Sequence, residues 1–343
     1  MNPVLECHLI KAWLSVSGRR ATKATISDED VDIAAIGELY YFNCVARLAD
    51  SRYLMTDDTC SGSLHNYWQI DVDSKTAAPW LTSDIRASAM YVKDDLVVMV
   101  CLMSPMLVVK DNEILEAIPL RPKTVHCSKG WLITNRWSQE LDGYIYVIES
   151  ESNDLHKISW SDIKLRQYET SIIEKDIDDF AISRRAGMAV IRTDKSISVN
   201  CKQVPCIKHE GAAVGWNIVV RAADRWIVAG SQDCRLVMAS IKGRSAVVSS
   251  IADSDSTIQA IKLVVSYRST ACLLAVTRNG RCFVVSMRHN GRLTLLHSIS
   301  NIITHHTNRS LPDVVLTVAH TKHDRVFLVG GSSWMKLMTV RIK

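Results

Sequence analysis

A hairpin pattern recurs along this chain at intervals of about fifty residues, and a recurrence of that period limits the fold to stacked β-units. The stretch "DRWIVAGSQDCRLVMASI" (Asp224–Ile241) is repeated in outline as "DRVFLVGGSSWMKLMTVRI" (Asp324–Ile342). In both, an apolar run follows Asp-Arg, a Gly-Ser turn follows the run, and a second apolar run ends in Ile. That order reads as strand, tight turn, strand, and the alternation in "RLVMASI" and "KLMTVRI" suits strands rather than helices. A third copy, "TACLLAVTRNGRCFVVSM" (Thr270–Met287), turns at Asn279-Gly280, a strong hairpin signal.

Fainter copies lie upstream. They are "GMAVIRTDKSISVN" (Gly187–Asn200), "GWLITNRWSQELDGYIYVIES" (Gly130–Ser150) with a longer turn, "DLVVMVCLMSPMLVVKD" (Asp95–Asp111) turning at Ser104-Pro105, and "DSRYLMTDDTCSGSLHNYWQIDV" (Asp50–Val72). Each hairpin is usually preceded by a short apolar strand, as in "NCVARLAD" or "DFAISRRA", and followed by another, as in "AVVSSIAD" or "LTLLHSIS". Four strands per unit and seven units predict an all-β, seven-bladed β-propeller, with one domain over residues 1–343. The chain ends on the third strand of its last unit, so the missing strand is expected from the N-terminus, at "LECHLIKAWLSV" (Leu5–Val16). A six- or eight-bladed ring is the alternative, whereas the regular repeat argues against two β-sandwiches. Helical content is expected near zero, since no long stretch carries a 3.6-residue apolar period.

Composition is that of an ordinary globular protein, 47% hydrophobic and 22% charged, with a mild formal excess of +5. The start of the chain carries Glu6 and His8 and lacks the basic and apolar regions of an export signal. The most apolar run, Leu96–Val109, contains Pro105 and is too short to span a bilayer as a helix. A nuclear or cytoplasmic protein, not secreted and not membrane-bound, is therefore expected. Cys101, Cys272 and Cys282 sit in apolar stretches, where a free thiol behaves as a small hydrophobe. Cys201 and Cys206 form the closest pair, but no second pair follows at zinc spacing, so no metal site is expected.

No catalytic set emerges. There is no Gly-x-Ser-x-Gly elbow, phosphate loop or His-Glu-x-x-His. His305 and His306 read as an exposed loop before Pro312, and the acids of "DIDDF" (Asp176–Phe180) read as solvated residues at a strand entry. Trp137 and Trp334 fall in predicted turns, where each is either an exposed anchor or a cap on its blade. The expected protein is not an enzyme and uses no cofactor and no small-molecule substrate.

The blades resemble degenerate WD repeats. "VAGSQDCRLVMASI" and "VGGSSWMKLMTVRI" match that family's Gly-Ser turn and following strand, while its closing Trp-Asp is absent and "NYWQIDV" (Asn66–Val72) is the nearest echo. A narrower resemblance covers residues 176–220. There "FAIS" (Phe180–Ser183), "TDKSISVN" (Thr193–Asn200) and "CIKHEGAAV" (Cys206–Val214) follow in order. They resemble motifs in the middle blades of the non-catalytic WD-repeat subunit of the eukaryotic tRNA guanine-N7 methyltransferase. "YLMTDD" (Tyr53–Asp58) resembles a further family segment.

That resemblance implies a turn that helps hold the catalytic methyltransferase subunit, with tRNA met through the complex. Asp194 matches the family Asp, but Thr193, Ser196 and Ser198 stand where the family has Arg, Lys and Arg. Nearby Arg184, Arg185, Arg192, Lys195, Lys202 and Lys208 supply basic charge, and His209 stands in the third motif. The expected partner-binding residues are thus Arg184, Arg185, Arg192, Asp194, Lys195, Lys208 and His209. The general alternative is a protein-interaction scaffold in another assembly, such as a nuclear pore, a ubiquitin ligase adaptor or ribosome assembly. A basic propeller edge would meet an acidic patch on its partner through charge complementarity. With no Lys/Arg run and no interleaved aromatic platform, RNA binding by the chain alone is expected to be weak.

Overall fold

The computed structural model describes most of residues 42–123 and 137–200, with residues 24–30, most of 258–299 and, from 202 on, strands largely as backbone. Among the described residues the strands fall into seven four-stranded antiparallel sheets. Sheets 1 to 6 cover, in chain order, residues 42–83, 87–118, 138–174, 177–203, 216–250 and 258–299. In each of these the strands lie side by side in sequence order. The closing sheet holds Val315–His320, Arg325–Gly331 and Trp334–Ile342, with Ala24–Asp30 on its outer edge. First strands of neighbouring sheets adjoin one another, sheets 2 and 3 being joined there by the Tyr91 hydroxyl donating to Ser138 Oγ at 2.9 Å, and the first strand of the closing sheet adjoins that of sheet 1, so the sheets form a ring.

This β-propeller differs from the sequence expectation in the strand that closes it. Side chains are largely described in sheets 1 to 4 and sheet 6. The closing sheet is described with side chains only in part, and sheet 5 as backbone pairing alone. The strand that closes the ring is Ala24–Asp30, which pairs antiparallel with Trp334–Ile342 from Ala24 opposite Ile342 to Asp30 opposite Lys336. The apolar segment Leu5–Val16 proposed for that role lies outside the described residues. "ATISDED" is too acidic to read as a core strand, and an outermost strand does not need to be one: Ala24 is buried and Ile26 packs against Met338 and Val340.

The repeated hairpins are the second and third strands of their sheets, except the one within Gly130–Ser150, which holds the first and second strands of sheet 3. The two-residue turns that join the other strands of sheet 2, and the first two strands of sheet 3, follow the strand twist. Asp94, Asp111, Asn112, Asp142 and Gly143 all take positive φ, as two-residue hairpin loops require. The hairpin expected from Gly130 to Ser150 is tighter than the long turn suggested. Ser138–Leu141 pairs with Tyr144–Ile148 around Asp142-Gly143, an Asp-Gly signal inside the expected longer turn.

The core lies between sheets. Val98, Val100, Met106, Val108 and Ile118 of sheet 2 meet Ile145, Val147 and Ile158 of sheet 3. The alternate residues Val97, Met99, Leu107 and Val109 face sheet 1, where Leu54 and Tyr67 pack. Both faces of the two middle strands of sheet 2 are therefore apolar, which is why "LVVMVC" reads as an unbroken run. Cys44, Cys101, Cys272 and Cys282 are free and buried in these layers, as the apolar settings of the last three lead one to expect. One five-residue helix, Trp160–Lys164, joins the last two strands of sheet 3; Ser159 Oγ caps it by accepting from the Asp162 N–H at 3.0 Å. Trp160 and Ile163 fasten it to the sheet 2–sheet 3 core. No helix among the described residues is long and apolar enough to cross a membrane.

Candidate partner-binding site

The expected site centres on sheet 4. Its first strand, Ile177–Ser183, and its second, Gly187–Arg192, pair from Ser183 opposite Gly187 to Ile177 opposite Arg192. The register places Arg184 beside the turn at one end of this hairpin and Arg192 at the other. Seven residues of strand separate them, roughly 20 Å at the usual rise. Asp194 follows Arg192 at that second end. The residues do not form one patch: Arg184 belongs to one face of the ring, and Arg192 and Asp194 to the opposite face. Arg185, Lys195, Lys208, His209 and the side chain of Lys202 lie outside what is described.

Each described arginine is tied to sheet 3. Arg184 Nε pairs with Asp142 in the Asp-Gly turn, both side chains being well exposed. Arg192 is half-buried; its Nη2 lies 2.8 Å from Glu174 Oε2 and its Nη1 donates to the Lys175 carbonyl at 2.9 Å. Arg192 thus closes the link between sheets, with the Thr193 N–H donating to the Asp176 carbonyl at 2.9 Å beside it.

The sequence placed three acids at this strand entry as solvated turn residues, and the structure separates them. Asp176 is exposed in a turn with φ 56°. Asp178 accepts from Lys123 Nζ at 3.1 Å, and its carbonyl accepts from Trp137 Nε1 at 3.0 Å. Asp179 is fully buried and accepts from the Phe180 N–H at 2.8 Å. A bulge between Ile177 and Asp179 shifts the alternation, and this is what a reading by composition misses. Trp137 is buried, 7% exposed, and packs on Ile177 and Phe180, so it caps a blade instead of anchoring a partner. Trp334 opens the third strand of the closing sheet; its side chain is outside the described residues.

At the far side of the hairpin, Gly187 takes φ +80° and any Cβ there would lie 1.9 Å from Asn200 Oδ1. Asn200 Oδ1 accepts from the Met188 N–H at 2.8 Å, and its own N–H donates to the Met188 carbonyl at the same distance. Glycine is thus required for the turn that presents Arg184.

Burial keeps three of the described thiols protonated. Burial pushes the Cys44 and Cys101 thiols up to about 12 and the Cys272 thiol to about 11, against slight opposition from Thr56, Leu107 and Ser286 respectively. No group of three or more metal-ligating side chains occurs among the described residues.

With the geometry in hand, the chain is similar in fold to several solved propellers. The WD40 domain of Toxoplasma gondii coronin matches with a TM-score of 0.55 at 9% identity, covering 95% of this chain and 88% of that one. BBS1N in complex with ARL6DN matches at 0.54 and 13%, covering 94% and 98%. The WD40 propeller domain of Doa1 matches at 0.52 and 10%, covering 88% and 94%. YCF48 bound to D1 peptide matches at 0.53 and 10%, covering 94% and 98%. No family model and no curated protein sequence matches the chain. The fold is thus a β-propeller of the kind found in WD40 domains, and at these identities the likeness speaks to the fold alone.

Proposed function

We propose that residues 1–343 act as one non-catalytic propeller domain that binds protein partners within a larger assembly. The observation that carries this reading is a rigid frame with charged turns left outside it. Trp137–Asp178, Lys123–Asp178 and Arg192–Glu174 lock sheet 3 to sheet 4, while Arg184 and Asp194 remain at the surface. A frame of that kind holds exposed turns in fixed positions at little entropic cost, which favours association. Two propellers of similar fold are seen with a peptide and with a protein bound, which supports the same use here. Affinity purification of the tagged native chain, followed by reassembly from purified components, tests it. A stoichiometric protein partner supports the reading, and a chain that purifies alone removes it.

A finer reading is the accessory subunit that braces the catalytic subunit of a tRNA guanine-N7 methyltransferase, in the nucleus or cytoplasm. It is supported by the order of Phe180–Ser183, Thr193–Asn200 and Cys206–Val214 in the sequence. In this reading Arg184, Arg185, Arg192, Asp194, Lys195, Lys208 and His209 face the partner or complete its turn. Its test is deletion followed by measurement of guanine-N7 methylation in tRNA: loss supports it, and unchanged methylation discards it in favour of another assembly.

A further inference from the structure

We infer that the outer rim of sheets 2 and 3 is a docking surface for an extended protein segment whose apolar side chains are flanked by Lys or Arg. This rests on the protein-binding reading above and names a surface and a partner chemistry for it.

The outermost strand of sheet 2 is Glu113–Ile118, "EILEAI". It pairs with Met106–Lys110 on its inner side, and no described strand pairs with its outer edge. Seven consecutive residues, 111–117, are exposed. Ile114 and Leu115 are 44% and 41% exposed, because a bulge at Leu115 leaves it opposite no partner and breaks the alternation that would bury one of them. Across the gap, the outermost strand of sheet 3, Ser171–Glu174, exposes Ile172 and Ile173. Ile172 stands opposite His156, which stands opposite Val147, so Ile172 faces sheet 2. Leu165, just after the helical turn, is 67% exposed. Five of the seven exposed large hydrophobics among the described residues therefore lie on or beside these two rims, Ile114 on the side of sheet 2 that faces sheet 1. A concentration of that kind marks an interaction site, whereas scattered single residues do not.

The charge on this rim is acidic in a chain whose net charge is +5. Asp111 and Glu113 have no ion-pair partner among the described residues, and Lys110 between them and the ring is taken by Asp95 at 2.6 Å. Glu116 accepts the Tyr168 hydroxyl at 2.7 Å, which fixes the two rims to each other. Glu169 is a further exposed carboxylate, and Arg166 lies near Tyr168. Open backbone, apolar side chains and exposed carboxylates together favour a basic, apolar, extended occupant.

The test uses the full chain and a synthetic peptide of alternating Lys and Val, with a Glu-Val peptide as control, read by fluorescence anisotropy at low and moderate salt. The Lys-Val peptide is expected to bind, to weaken with salt, and to lose at least tenfold in affinity with Glu113→Lys/Glu169→Lys or with Leu115→Asn/Ile172→Asn. Circular dichroism checks that these surface variants remain folded. Equal binding of the Glu-Val peptide, or binding unmoved by either double variant, overturns the proposal. So does light scattering that shows a dimer of the chain abolished by these variants, since the rim would then be covered by a second copy. If the variants still hold a co-purifying protein at full stoichiometry, the rim is wrong and the scaffold reading stands; a chain with no protein partner fails both.

Discussion

The side-chain amide of Gln139 meets both backbone groups of Ile182: its Nε2 donates to the Ile182 carbonyl, and its Oε1 accepts from the Ile182 N–H at 2.9 Å. Gln139 lies on the first strand of sheet 3 and Ile182 on the first strand of sheet 4, so one side chain acts as a short extra strand between blades. An inner edge strand has unpaired backbone groups facing its neighbour, and leaving them unsatisfied is costly. Gln139→Ala is expected to lower stability by about 2 kcal/mol, measured by urea unfolding, because two partly buried backbone groups lose their partner. A change within ±0.5 kcal/mol would mean that water replaces the amide there.

Gly187→Ala should destabilise more than the usual surface substitution, by roughly 1–3 kcal/mol, for two reasons: positive φ and the close approach of Asn200. The double variant Gly187→Ala/Asn200→Ala relieves the second and keeps the first. The two costs should therefore be non-additive in thermal unfolding, the double variant being closer to Asn200→Ala than their sum.

Arg184 and Arg192 should separate binding from stability. Arg184–Asp142 is an exposed pair, so Arg184→Glu is expected to leave unfolding unchanged within about 0.5 kcal/mol. If the Arg184 turn meets an acidic partner, the same variant weakens the complex at least tenfold. Arg192 is half-buried, and Arg192→Ala should cost about 1–2 kcal/mol before any partner is added. Calorimetry on each variant with and without partner distinguishes the two roles.

The buried thiols set an alkaline limit. In the folded chain burial holds Cys44 and Cys101 up to about 12 and Cys272 to about 11, whereas the unfolded thiols ionise near 9. Tyr67 and Tyr91 are also raised by burial. The folded state thus binds more protons than the unfolded state in that window. Stability contributed by these groups is complete below pH 9 and declines as pH rises toward 11–12. Urea midpoints measured from pH 7 to 11 should fall steadily above pH 9, and the thiols should resist alkylation at pH 8 until denaturant is added. Rapid native labelling of Cys44, Cys101 and Cys272 would contradict their placement.

The strands were legible because burial on both faces makes each inner strand a continuous apolar run, as in "LVVMVC" and "TACLLAV", and because turns at Asn-Gly and Gly-Ser punctuate them. Closure was legible as a need but not as a segment: Ala24–Asp30 carries four acidic or hydroxyl-bearing residues in succession after Ile26, and nothing in "SDED" signals a strand. The site was less legible still. Spacing along the chain put Arg184 and Arg192 together, whereas an antiparallel hairpin sends them to opposite faces of the ring. Asp179 was missed because a bulge turns it inward, and Gln139 because a side chain bridging two blades leaves no local pattern.

The central claim is that this propeller exists to hold another protein. Its most direct measurement is light scattering of the purified full chain with the purified protein that accompanies it in affinity purification. The account predicts a single species with the summed mass of both at defined stoichiometry, from which Arg184→Glu or the rim variants release the partner. Two separate species at micromolar concentration, each at its own mass, would contradict it.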